Sequence, residues 1–154
     1  EYILGFVKGN LESRLDTIPI RDIITIIENA INKTKPEKLF IPWKSFHQDH
    51  EIVYKACIAA CRPTRKILPK EILAYEHPLY SWNYRDISFC PEVYYDISEM
   101  IEKKIEAIKL YKSQIRDEDN LLSPASIKRW NRIRGLEAHL NFAEAFILIR
   151  AVIK

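Results

Sequence analysis

Short apolar runs alternate along this chain with stretches of helical period, and that alternation most narrows what it can fold into. Residues 2–6 (Tyr-Ile-Leu-Gly-Phe), Leu39-Phe40-Ile41, Glu71 to Tyr75 and Glu92 to Ile97 read as strands. Between them, Pro19 sits at a helix start, and Ile20, Ile23, Ile24, Ile27 and Ile31 share one face until Lys35-Pro36-Glu37. A second helix spans about Asp49 to Cys61, with Val53, Ala56, Cys57 and Ala60 inward. Asp96 or Ser98 is placed to cap a long helix carrying Ile101, Ile105, Ile108 and Ile115 on one stripe. Ser123-Pro124 opens a last helix that should stop near Gly135, and Phe142 to Ile149 fits strand or helix. Strands and helices in turn predict an α/β, Rossmann-like three-layer sandwich with a largely parallel sheet.

Composition removes several kinds of function. The chain has 154 residues with 24 basic and 21 acidic side chains, a net charge of +3 that is small for a nucleic-acid binder. Basic stretches do occur, at Arg62 to Lys70 and at Lys128 to Arg134 around Trp130, but solvated helix faces look the same. The expectation is therefore no nucleic-acid partner. Only Gly5, Gly9 and Gly135 are glycines, so neither a dinucleotide fingerprint nor a phosphate-cradling loop is present. The three cysteines, Cys57, Cys61 and Cys90, are odd in number, and Cys57 and Cys61 fall four apart in an apolar helical run. A reducing cytoplasm suits them best. No apolar run reaches the roughly 18 residues of a membrane span.

In α/β folds, ligands gather at the carboxyl ends of strands. One strand-to-helix loop is dense in chemistry: Ile41-Pro42-Trp43-Lys44-Ser45-Phe46-His47-Gln48-Asp49-His50. His50 would sit in the first helical turn, able to reach a metal. Asp49 could accept a hydrogen bond from His47 and fix its tautomer. On spacing alone a solvated His-x-x-His with Asp49 as a plain helix cap fits better. A catalytic zinc needs three protein ligands, more than this motif provides. His77, before Pro78, and His139, in a polar stretch, read as surface or interface residues.

The segment His47-Gln48-Asp49-His50 resembles the second motif of the LmbE-like (PIG-L) zinc-dependent de-N-acetylases. Further resemblances run in order along nearly the whole chain. Leu4-Gly5-Phe6 and Arg14-Leu15-Asp16-Thr17-Ile18-Pro19 resemble the segment before that motif, and Cys61-Arg62-Pro63 with Lys70 to Glu76 the helix end and strand after it. Pro91 to Lys104, Lys112-Ser113-Gln114, Arg134-Gly135 and Ala143-Glu144-Ala145-Phe146 resemble the later elements. The resemblance implies His50 as a zinc ligand, His47 as the catalytic histidine, Asp49 as the residue orienting it, and Arg134 as a contact to substrate or subunit. It implies removal of an N-acetyl group from an N-acetylglucosamine-type sugar or sugar conjugate, and homo-oligomers of a number it does not fix.

The family's first motif, His-Pro-Asp-Asp, which supplies the other zinc ligands and the general base, is absent. Residues 1–154, beginning at Glu1, thus resemble the later part of a single domain, with the opening strand–helix–strand portion missing. A degenerate member serving as a binding or assembly subunit is the alternative. An intact His-Pro-Asp-Asp upstream would mark the enzyme, and a replaced one the subunit. A sheet lacking its opening portion leaves a strand edge and an apolar face uncovered. Residues 1–154 alone are therefore expected to be unstable, or completed by another segment or chain. Size-exclusion chromatography and thermal melting test this, and a cooperative, monomeric melt would count against it.

Overall fold

The parallel pair β1 (Lys38–Pro42) and β2 (Glu71–Tyr75) is the base on which the candidate site stands. The computed structural model describes residues 14–77, 89–113 and 115–153. Its four described strands order as β1-β2-β4-β3, in a mixed α/β fold. The strand expected at residues 2–6 lies outside the described residues. The chain divides into two compact units, one of Glu1–Phe89 with Ile147–Lys154 and one of Cys90–Phe146.

In the first unit, α1 (Ile20–Thr34) buries Ile23 and Ile31, as the isoleucine period requires. It stops where Lys35 turns left-handed at φ 45° and donates its N–H back to the Ile31 carbonyl. Pro36, without an N–H, could not have continued the ladder. β1 and β2 register Lys38 on Glu71 through Pro42 on Tyr75, and Lys38 Nζ meets the Glu71 carboxylate at 2.8 Å. Ile72, Leu73 and Ala74 of β2 are all buried, as expected of a strand covered on both faces. α2 (Gln48–Ala60) turns Ala56, Cys57 and Ala60 inward, small residues that let the helix lie close to the strands. Ile41, Ile72 and Ala74 meet Ile31, Cys57, Ala60 and Cys61 in one core, joined by Ile147 and Ile149 of β4 (Ala143–Ala151). Arg150 reaches back to the Cys61 and Pro69 carbonyls at 2.9 and 3.1 Å.

In the second unit, β3 (Val93–Asp96) runs antiparallel to the start of β4, Val93 facing Phe146 and Asp96 facing Ala143. The sheet is thus mixed where the sequence suggested a largely parallel one. Here the strand returns in the opposite direction after two helices, a common arrangement beside a parallel pair. Phe142 to Ile149, open between strand and helix in the sequence, is strand, with Ala143, Ala145 and Phe146 buried.

The expected long helix is short: α3 spans Ile101–Lys109, so Ile115 lies beyond its end. Nor does Asp96 or Ser98 cap it. Asp96 Oδ1 accepts from the Ser98 N–H at 2.9 Å and its hydroxyl at 2.6 Å, closing a turn ahead of the helix. Met100 is left at the N-cap, without a side-chain bond. α4 (Pro124–Glu137) opens as expected, Ser123 Oγ accepting from the Ser126 N–H at 3.1 Å.

α4 ends at Glu137, near Gly135 as expected, and Gly135 itself serves a close approach. A Cβ on it would lie 2.7 Å from the Asn141 carbonyl oxygen and 2.8 Å from that of Leu140. Helix propensity alone favours Gly135→Ala by up to about 1 kcal/mol. Overpacking against rigid backbone costs about 1–3 kcal/mol, so it should win. In the full chain the alanine variant is expected to unfold at lower urea; a higher midpoint would show that the 140–141 segment yields.

Candidate functional site

The site begins where β1 ends. Pro42 has no N–H to offer, but the next residue extends the pairing, Trp43 donating its N–H to the Tyr75 carbonyl at 2.8 Å. The chain then turns inward at Ser45, which is only 2% exposed. Its hydroxyl oxygen accepts the His47 N–H at 3.2 Å and lies 2.8 Å from His50 Nδ1. One buried hydroxyl thereby ties both histidines to the loop that precedes them.

His47 is the N-cap of α2, in extended conformation, with its ring as the capping group: Nδ1 accepts the Asp49 N–H at 3.3 Å. An accepting Nδ1 puts the proton of the neutral ring on Nε2. The sequence suggested that the Asp49 carboxylate would orient His47. Asp49 meets His47 through its backbone N–H, and its Oδ1 accepts the Leu15 N–H at 3.0 Å. Asp16 meets the Gln48 amide at 3.4 Å, so the turn at Leu15–Thr17 is tied to the opening of α2 through two neighbouring residues.

His77, read from the sequence as a surface residue, is half-buried and belongs to this site. It follows β2 by two residues and lies face to face on His50, ring centroids 3.8 Å apart and planes 15° apart. His50 stacks in turn on His47 at 4.6 Å and 28°. The available signal was topological: parallel neighbours deliver their carboxyl ends to the same edge, so the residues after β2 must approach the loop after β1.

Burial, followed by the neighbouring His47, pushes the His50 imidazole down to about 4, the Asp49 carboxylate opposing. Burial, followed by His50 and His47, pushes His77 down to about 4 as well. Near neutrality both rings are uncharged, and each offers one nitrogen lone pair and one N–H.

Among the described residues no group of three or more His, Cys, Asp or Glu side chains is arranged to hold a metal ion. An imidazole nitrogen binds metal in the plane of its ring, and the nearly parallel planes of His50 and His77 do not converge on one point. The described residues alone therefore do not fit a zinc centre; His50 can give one ligand. Arg134 sits on α4 in the second unit, its guanidinium 5.3 Å from the Trp130 ring centroid and bonded to the Glu137 carboxylate at 2.8 and 2.9 Å. His139 is exposed, at φ 59°.

No protein-family model matches the chain, and no curated protein does. Solved structures do. The conserved protein TT1542 of Thermus thermophilus superposes with a TM-score of 0.69 at 20% identity, covering 97% of this chain and 66% of its own. The 4-carboxy-2-hydroxymuconate hydratase GalB of Pseudomonas putida gives 0.67 at 16%, covering 87% and 60%. The N,N'-diacetylchitobiose deacetylase of Pyrococcus horikoshii gives 0.61 at 18%, covering 86% and 53%. The chain thus spans between about half and two thirds of these neighbours' lengths. At such identities the likeness is one of fold, and this fold houses a sugar deacetylase and a hydratase.

The two half-buried imidazoles make stability depend on pH in one direction. Unfolded, they take protons near 6.5; folded, only near 4. Their neutral burial therefore contributes fully above about pH 6.5, and the contribution is lost as pH falls toward 4. In the full chain without metal, the urea midpoint should fall between pH 7.5 and 4.5. A His50→Gln, His77→Gln double variant should flatten that fall, and an unchanged slope would show that other groups cause it.

Proposed function

We propose that this chain carries the later-motif half of an amide hydrolase site. Its substrate would be an N-acetylglucosamine-type sugar or sugar conjugate, from which the N-acetyl group is removed with zinc. The observation that carries this reading is the pinned His47. With Nδ1 accepting the Asp49 N–H, the proton of the neutral ring lies on Nε2, a donor held in a fixed direction by the cap. A fixed N–H donor can stabilise the oxyanion that develops on an acetamide carbonyl as water adds. The departing sugar amine would take its proton from the general base that has just accepted one from the attacking water, since a neutral His47 ring does not give up its remaining N–H proton. Asp49 acts as the positioning residue for His47, through the backbone bond and through the first turn of α2 that it anchors on Leu15.

His50 is the proposed metal ligand. Ser45 Oγ, with one lone pair on the His47 N–H, can accept the His50 Nδ1–H on the other, which leaves His50 Nε2 as the bare nitrogen. When bound, zinc supplies a water acidic enough to attack near neutral pH. Its remaining ligands and the general base would lie outside the described residues. Arg134, held by Glu137 and Trp130, is the proposed substrate or subunit contact, with the assembly a homo-oligomer.

Free thiols at Cys57, Cys61 and Cys90 support a cytoplasmic setting, the first two buried and Cys57 pushed up to about 12 by that burial. Among the described residues no helix is long and apolar enough to cross a membrane.

The test is acetate release by the full chain from N-acetylglucosamine and its conjugates, abolished by a chelator and restored by zinc. His47→Asn should lower kcat by about 100-fold or more while KM changes little. His50→Ala should weaken zinc binding, and unchanged zinc affinity would remove the ligand assignment. A full chain that binds such sugars yet releases no acetate would be a binding or assembly subunit.

A further inference from the structure

Resting on the reading of His50 as a site residue, we propose that His77 is its positioning residue, setting the plane of the His50 ring by face-to-face contact rather than sharing a metal with it. Two of the restraints on His50 act in different directions, beside the His47 ring stacked on it at 4.6 Å and 28°. Ser45 Oγ, 2.8 Å from Nδ1, fixes one point on the edge of the ring. An edge bond by itself fixes that point and not the tilt of the ring about it. The flat face of His77, 3.8 Å away at 15°, closes that freedom. At this spacing the two aromatic faces are in van der Waals contact.

His77 is itself held. Tyr75 packs its ring edge-on against it at 5.3 Å and 61°. Tyr75 is also the last residue of β2, and its carbonyl takes the Trp43 N–H at the start of the loop that carries His47 and His50. The restraint thus runs from the end of one strand, through a tyrosine and a histidine, to the His50 plane. An imidazole lone pair lies in its ring plane, so this plane decides where a metal or a proton donor must stand to meet Nε2. Rings stacked in parallel slabs cannot both address that point, so His77 acts here as a wall.

The role asks for a flat ring and not for nitrogen, which separates it from ligation. Histidine-selective nitrogen and carbon labelling of the full chain reads the His50 tautomer from its nitrogen shifts and its ring motion from Cε1–H relaxation. The unaltered protein and His77→Phe should both show one held tautomer and a rigid His50 ring. His77→Ala should show averaged nitrogen shifts and a mobile ring. His77→Leu, which fills space without a flat face, should side with alanine and stands in for it if that variant does not fold. The methyl resonances of Leu73 and Ile41 report that the core is intact. An ordered His50 in both the alanine and leucine variants would overturn the proposal. So would a phenylalanine variant as mobile as the alanine one, since the imidazole nitrogens would then be what matters. The readout does not involve acetate release, so the proposed reaction can fail while this role stands, and the reverse.

Discussion

Parallel pairing of β1 and β2 is the constraint on which the site depends. Two strands running the same way deliver their carboxyl ends to one edge, and the residues that follow them are then obliged to meet. The loop after β1 supplies Ser45, His47 and His50, and the end of β2 supplies Tyr75 and His77. The bond from Trp43 to Tyr75 continues the pairing one residue past β1, so loop and strand end stay in step. An antiparallel pair would have sent His77 to the opposite edge.

Within that frame, the chemistry of the loop follows from helix capping. A histidine is an uncommon N-cap, and here the ring replaces the usual serine or aspartate oxygen in taking an N–H of the first turn. Capping occupies Nδ1 and so settles which nitrogen keeps the proton. The same local bond starts a helix and prepares a donor. Ser45 adds the second fixed point, buried where its hydroxyl can satisfy a backbone N–H and a ring nitrogen together.

Local signals were legible in the sequence, and what depends on distant partners was not. α1 could be read from its isoleucine period and Pro19, and the start of α4 from Ser123-Pro124. β1 and β2 could be read from short apolar runs between turn residues. His47 and His50 were visible because their motif is contiguous. His77 was not, because its neighbours come from another strand. Ile115 kept the spacing of the α3 stripe, yet the helix ends at Lys109, since spacing says which face a residue would share and not where the ladder stops. Gly135 marked the end of α4 to within two residues, but the close approach of residues 140–141 to it leaves no local trace.

The first unit is discontinuous in sequence, with Ile147–Lys154 returning to it after the whole of Cys90–Phe146. Its core takes Ile147 and Ile149 from that returning strand, and Arg150 there ties down the carbonyls of Cys61 and Pro69. A ribosome delivers these residues after everything else in the two units. The histidine-bearing unit therefore cannot close as it emerges, whereas the contiguous one can. Between the two units, the order of synthesis is the reverse of the order of completion: the one begun first is finished last.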